Sequence, residues 1–130
     1  MTTRPGRGAP ILLVEDTRSL ATVYENYLAR AGHSVHIAAT AAEALRLWRE
    51  EEPRLVLLDL VLPDGDGIEV LREIRARGDT TRVIVITAHG SINRAVEAMR
   101  EGAFDFLVKP FDERRLLGAV ENALASIRDE

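Results

Sequence analysis

Five side chains suited to phosphoryl transfer follow short apolar runs of the sequence. They are two neighbouring acids, a third acid, a hydroxyl and a lysine: Glu15, Asp16, Asp59, Thr87 and Lys109. If the apolar runs are parallel strands, all five side chains project from one edge of one sheet, the edge at which open α/β sheets bind ligands. Carboxylates, a hydroxyl and an ammonium group at that edge suit a divalent cation together with a phosphoryl group.

The three acids predict a metal site. Two like charges about 4 Å apart repel each other by about 4 kcal/mol at an effective dielectric constant of about 20. A cation resolves that conflict, and oxygen ligands without cysteine favour Mg²⁺ over zinc. For Asp16 or Asp59 alone, a helix cap or a solvated loop acid is an equally good interpretation. Their joint placement with Thr87 and Lys109 favours the site.

Asp59 is the predicted nucleophile. It follows the apolar run Leu55–Leu58, so that a rigid backbone would present its carboxylate at the sheet edge. Carboxylates form aspartyl phosphates when a metal neutralises the incoming phosphoryl oxygens. Lys109 would supply a second positive charge and Thr87 a hydroxyl donor, since phosphoryl transfer depends on positioning and electrostatic stabilisation.

The elements that must position these residues are short apolar runs alternating with segments of helical period. This alternation predicts five βα units around a doubly wound parallel sheet. Because the runs are continuous, we expect strands that are covered on both faces. The predicted strands are Ile11–Val14, Val35–Ala38, Leu55–Leu58, Val83–Ile86 and Phe106–Val108.

The intervening helices have recognisable ends. Thr40, Ser91 and Asp112 are predicted N-caps of the second, fourth and fifth helices. Glycines end the first, third and fourth helices, at Gly32, Gly78 and Gly102. The apolar stripe predicted for the fourth helix contains Ile92, Ala95, Val96 and Met99, and Pro63–Gly67 is predicted to be a loop.

Composition limits the class of protein. A chain of 130 residues with 46% hydrophobic and 29% charged residues predicts one globular domain, residues 11–128, after a disordered lead at 1–10. The lead lacks the apolar segment of a signal peptide, and no apolar run approaches the roughly 20 residues of a membrane span. A net charge of −4 argues against direct nucleic-acid binding. The absence of cysteine fits a cytoplasmic protein.

Four motifs resemble the receiver domain of bacterial two-component response regulators. They are Val14-Glu15-Asp16, Leu57-Leu58-Asp59 with Leu62-Pro63-Asp64-Gly65 after it, Ile86-Thr87-Ala88 and Lys109-Pro110-Phe111. The resemblance spans nearly the whole chain, from Ile11 to Ile127. The segments 87–91 and 102–107 look most like receivers of nitrogen-regulatory, sigma-54-dependent transcriptional activators. The family implies a flavodoxin-like (βα)5 fold with strand order 2-1-3-4-5.

The resemblance implies a role for each site residue. Asp59 would take a phosphoryl group from a phosphohistidine on a sensor histidine kinase. Asp16, Asp59 and the backbone carbonyl of Val61 would ligate Mg²⁺, with Glu15 acting through water. Lys109 would pair with the phosphoryl group. Activities beyond signalling would be limited to self-phosphorylation and autodephosphorylation.

Further expectations concern the switch and the phosphoryl lifetime. Thr87 would move toward the phosphoryl group, and Phe106 would turn inward without the hydroxyl that many relatives carry there. The Lys109–Pro110 peptide is expected to be cis. An apolar Val61 should not orient an attacking water, whereas His89 could shield the acyl phosphate, assist hydrolysis or have no kinetic role.

The output surface would be the face of the fourth helix, fifth strand and fifth helix, which we expect to mediate a phosphorylation-dependent homodimer. We expect a DNA-binding or ATPase effector domain to be absent from this chain; the alternative is a stand-alone receiver that acts by protein contacts.

A haloacid-dehalogenase-like phosphatase is a weaker alternative, because it needs a second Asp at the position of Val61. A flavodoxin-like cofactor binder is weaker still, because Glu15 and Asp16 would repel a phosphate at the first loop.

Overall fold

The computed structural model describes residues 10–78, 80–88 and 91–128. Within them lie five main strands and five helices that alternate along the chain. The strands are β1 (Ile11–Val14), β2 (Val35–Ala38), β3 (Leu55–Asp59), β4 (Arg82–Thr87) and β5 (Asp105–Val108). The helices are α1 (Arg18–Arg30), α2 (Ala41–Glu51), α3 (Gly67–Arg77), α4 (Ile92–Arg100) and α5 (Glu113–Arg128). The predicted disordered lead falls outside the described residues, apart from Pro10.

The five strands form one parallel sheet in the order β2-β1-β3-β4-β5. In its register, Val14 lies beside Leu58, and Asp59 beside Ile86. The ends of β1, β3 and β4 therefore meet at one edge of the sheet, and β5 ends beside Thr87. This is the predicted doubly wound sheet, and it brings the loops that follow β1, β3, β4 and β5 together.

A hydrophobic core covers both faces of the central strands. Every residue of β1 and β3 is buried, as the continuous apolar runs predict. The same prediction was wrong for the edge strands, because β2 and β5 each bury only one residue fully. An edge strand has a neighbour on one side only, and the flanking helices do not cover its full width.

Helix α4 exposes most of its predicted apolar stripe. Its buried residues are Ala95 and Ala98, whereas Ile92, Val96 and Met99 are 56%, 45% and 40% exposed. Of the four stripe residues, only the smallest, Ala95, is buried. Small alanines let this helix lie close to the sheet and leave its large apolar side chains in solvent.

The segment predicted as a loop after β3 contains a small ladder. Val61–Leu62 pairs antiparallel with Gly65–Asp66, and we call residues 61–66 the β3–α3 hairpin.

Two of the three predicted N-caps form a hydrogen bond. The Thr40 side chain accepts from Glu43 N and the Asp112 side chain from Arg115 N, whereas the Ser91 side chain makes no cap bond. Among the described residues, no helix is long and apolar enough to cross a membrane.

Candidate functional site

Asp59 is the last residue of β3 and lies at the centre of the carboxyl edge. It is 6% exposed, and both of its carboxylate oxygens accept hydrogen bonds. Val61 N donates to Oδ1 at 2.9 Å, and Lys109 Nζ donates to Oδ2 at 2.7 Å. The carboxylate is thus held in place by the segment that follows β3 and by the loop that follows β5.

Glu15 is the second buried acid of the site. It is 1% exposed, and its Oε2 accepts from Thr17 N at 3.1 Å. Burial raises the pKa of Glu15, although the Thr17 N–H and the charge of Lys109 oppose the shift. A buried carboxylate beside another one needs a cation nearby, and the chain supplies one in Lys109.

Lys109 bridges the two buried acids. Its Nζ lies 3.1 Å from Glu15 Oε1 and 2.7 Å from Asp59 Oδ2. Burial tends to lower the pKa of Lys109, but its contacts with Asp59 and Glu15 outweigh burial and raise it. The lysine therefore remains charged in the position from which it could neutralise an incoming anion.

The acidic cluster fits a divalent cation. Carboxylate oxygens of Glu15, Asp16 and Asp59 lie within 4.8 Å of one another, with Asp16 exposed and the other two buried. All donors are oxygens, which is the ligand type that Mg²⁺ prefers. Asp16 does not cap α1, since Thr17 holds the N-cap position. The structure thus brings the three predicted acids together, and Asp16 is the member of the cluster that faces solvent.

Thr87 ends β4 with its hydroxyl buried. The residue is 3% exposed, and its Oγ1 has no hydrogen-bond partner within the described residues. An unpaired buried hydroxyl is costly, and here it lies on the strand next to Asp59. The hydroxyl is therefore free, among the described residues, to donate to an added acceptor.

The remaining predicted residues surround this centre. Phe106 is half-buried on β5, and the Lys109–Pro110 peptide is cis, as the resemblance implied. The Val61 side chain is 74% exposed beside the acceptor. His89 lies outside the described residues, and its suggested kinetic role stays a prediction.

Sequence reasoning missed two residues that tie the site to its surroundings. Asp64 accepts hydrogen bonds from Ala41 N and Ala42 N, so it joins the β3–α3 hairpin to the start of α2. Asp66 caps α3 and also accepts a hydrogen bond from Arg94 on α4. The acidic Asp64-Gly65-Asp66 segment signalled a turn, but nothing in the sequence indicated these long-range partners.

The fold and the site define a flavodoxin-like α/β domain with an acidic pocket at its carboxyl edge. Comparison with known proteins then identifies the family. Residues 11–121 match the model of the response regulator receiver domain, and the chain belongs to that family. The phosphatase and cofactor-binder alternatives are thereby set aside.

The relatives include regulators that are much longer than this chain. The chain is 45% identical over 112 residues to the regulatory protein LuxO of Vibrio vulnificus, covering 86% of the chain and 25% of LuxO. It is 36% identical over 118 residues to the DNA-binding transcriptional regulator NtrC of Azospirillum brasilense, covering 91% and 24%. It thus spans about a quarter of the length of these relatives.

A solved structure shows the same architecture. The receiver domain of NtrX from Brucella abortus superposes with a TM-score of 0.85 at 38% identity, covering 88% of this chain and 98% of that one. The chain is therefore a receiver domain in fold as well as in sequence.

Proposed function

We propose that Asp59 accepts a phosphoryl group from the phosphohistidine of a sensor histidine kinase. The observation that supports this most is the environment of its carboxylate: buried, bonded to Lys109 at 2.7 Å and grouped with two further acids. A carboxylate that contacts a lysine and lies beside further acids is a competent nucleophile when a cation is bound there.

The proposed transfer needs few groups. An electron pair of an Asp59 carboxylate oxygen forms the new bond to phosphorus, while the bond from phosphorus to the donor imidazole breaks and its electrons return to the nitrogen. Lys109 stays charged beside the acceptor and stabilises the negative phosphoryl oxygens. Mg²⁺ held by Asp16, Asp59 and the Val61 carbonyl, with Glu15 through water, would neutralise the remaining charge. Small phosphodonors would serve by the same route.

The proposed response begins at Thr87. Its buried hydroxyl would donate to a phosphoryl oxygen, and Phe106 on the adjacent β5 would repack inward. A phosphoryl group shifts an existing equilibrium only by its different contacts in the two states. The unpartnered hydroxyl supplies such a difference.

The proposed output surface is the face formed by α4, β5 and α5. Ile92, Val96 and Met99 of α4 are exposed. Three large apolar side chains exposed together on one short helix favour a binding partner. We propose a homodimer whose association depends on phosphorylation. Sedimentation with and without beryllofluoride, a phosphoryl mimic, should show different association states; identical states would remove this part of the proposal.

The proposed biological role is to gate a transcriptional output in the cytoplasm. The support is the similarity to NtrC, whose name describes a DNA-binding transcriptional regulator. An effector domain outside this chain would carry that output, and a stand-alone receiver is the alternative. We do not expect this domain itself to bind DNA, because its net charge is −4.

The test of the central step is intact mass after incubation with acetyl phosphate and Mg²⁺. We expect a single phosphate adduct that is absent in Asp59→Asn and in the presence of chelator. Asp64→Asn is a matched control, because Asp64 is an exposed acid of the same loop that bonds to α2 and not to Lys109. An adduct that persists in Asp59→Asn would contradict the assignment of the acceptor.

A further inference from the structure

Ion pairs join α3 and α4 beside the proposed acceptor. Arg94, at the start of α4, donates to Asp66 Oδ1 and, at 2.7 Å, to Glu97 Oε1. Further along, Arg72 of α3 pairs with Glu97 and Glu101 of α4. The Arg94–Asp66 contact alone among these reaches the β3–α3 hairpin.

Asp66 is anchored to the acceptor through the backbone. It pairs with Val61 across the hairpin, and Val61 N donates to Asp59 Oδ1. The next residue, Gly67, lies so close to β3 that an added Cβ would meet Asp59 O at 2.5 Å. Asp66 therefore cannot move far without moving the acceptor's own backbone.

Arg94 is anchored to the other side of the site. It lies in the first turn of α4, the next helix after β4 and Thr87, and Ser91 N donates to Ala88 O at 3.1 Å between them. A cation in a first turn is disfavoured by the helix dipole, and α4 has no acid there to offset it. The placement of Arg94 is thus explained by its acidic partners and not by the helix itself.

Helix α4 packs on β4 and β5 through small side chains, since the residues it buries are Ala95 and Ala98. It spans nine residues, and the Ser91 side chain gives no cap bond. A helix this short is marginal by itself in water. Contacts made by Arg94 should therefore add to what keeps the start of α4 in place.

From these placements we propose that Asp66 and Arg94 form a latch that positions α4 against the β3–α3 hairpin in the unphosphorylated protein and is opposed by phosphorylation. The second half rests on the proposed function. Movement of Thr87 toward a phosphoryl group on Asp59 displaces the start of α4, which follows Thr87 in the chain, relative to the hairpin, so Arg94 shifts while Asp66 stays. By reciprocity, loss of the latch favours binding of a phosphoryl group or its mimic.

The test uses two neutral substitutions in the full chain. Arg94→Gln keeps side-chain length and helix propensity, and Asp66→Asn keeps an N-cap oxygen for Ile68 N. We expect each variant to bind beryllofluoride with Mg²⁺ about two- to fivefold more tightly than wild type, as for loss of one exposed ion pair. The double variant should match the singles, because both remove one interaction. Chemical-shift titration measures the affinity.

Two features keep this result specific. The substitutions change net charge in opposite directions, so simple electrostatic effects on an anionic ligand would shift the two affinities oppositely. Arg72→Gln is the matched control, because it removes ion pairs between α3 and α4 without touching the hairpin. Unchanged affinity in Arg94→Gln or Asp66→Asn, or an equal gain in Arg72→Gln, would overturn the latch.

Amide hydrogen exchange provides a second measurement that does not depend on the acceptor chemistry. Both latch variants should show faster exchange in α4 of the unmodified protein, and unchanged α4 exchange in both would overturn the latch. If wild type binds no beryllofluoride, the proposed phosphoryl acceptor fails, and α4 exchange alone decides whether the latch exists.

Discussion

Helices α3 and α4 flank the same site but are held in different ways. Helix α3 buries four large apolar side chains, Ile68, Val70, Leu71 and Ile74, and has an Asp66 cap with Ile68 N at 2.9 Å. Helix α4 buries only two alanines, lacks a side-chain cap and leaves its large apolar residues exposed.

This difference separates two tasks. The side that carries the acceptor is fixed by core packing and close backbone contact, so that the Asp59 carboxylate keeps its geometry. Helix α4, which follows Thr87, is held by two buried alanines and by ion pairs, and a new charge can rearrange ion pairs. Segments that move in signalling come from the less stable parts of a fold.

The comparison is tested most strongly by truncating one large apolar side chain on each helix. Leu71→Ala on α3 should lower the free energy of unfolding by about 3 kcal/mol, because the side chain is fully buried. Val96→Ala on α4 should change it by no more than about 0.5 kcal/mol. Urea denaturation measures both, and equal losses would show that α4 is as tightly packed as α3.

The close contact between α3 and β3 can be tested with one methyl group. In Gly67→Ala the new Cβ would lie 2.7 Å from Leu60 Cα and 2.5 Å from Asp59 O, which are backbone atoms that cannot easily yield. We expect a loss of about 2 kcal/mol in the free energy of unfolding. Gly65→Ala is the control, since its Cβ would meet nothing within 4 Å. Similar stability of the two variants would argue against a rigid acceptor side.

The Thr87 hydroxyl, which has no hydrogen-bond partner among the residues that the structure describes, gives a smaller effect of opposite sign. Thr87→Val keeps the shape and removes a buried polar group, so it should stabilise the unphosphorylated protein by about 1 kcal/mol. Thermal unfolding measures the gain. The same variant should still form the phosphate adduct yet lose the phosphorylation-dependent association. Destabilisation would instead reveal a partner for the hydroxyl.

The smallest predicted effect concerns Asp64. Hydrogen bonds from Ala41 N and Ala42 N lower its pKa in the folded protein. Its contribution to stability is therefore present above the unfolded pKa of about 3.9 and is lost as pH falls through the lower folded value. Asp64→Asn should show a weaker decline of the urea midpoint between about pH 5 and about pH 3 than wild type. Parallel declines would contradict this role.

The sequence was sufficient to predict the central strands and the sheet edge at which the candidate site residues lie, for a physical reason. Continuous apolar runs mark buried strands, and a chemically competent residue after each run must reach the same edge, as Asp59, Thr87 and Lys109 do. The orientation of α4 was not predictable in this way. A stripe such as Ile92, Val96 and Met99 shows which residues are apolar, but not whether neighbouring elements cover them.

Contacts between distant charged residues were equally out of reach. Arg94 and Asp66 are separated by 28 positions and come together only in the folded chain. The same holds for Lys109, whose role was expected but whose bridging of Glu15 and Asp59 depends on three strand ends meeting in the fold.

The most direct test of this account is amide hydrogen exchange along the chain before and after treatment with acetyl phosphate and Mg²⁺, with Asp59→Asn treated in the same way. We predict changed exchange in α4, little change in α3, and no change anywhere in Asp59→Asn. Equal changes in α3 and α4, or the same changes in Asp59→Asn, would contradict a fixed acceptor side coupled to a movable output side.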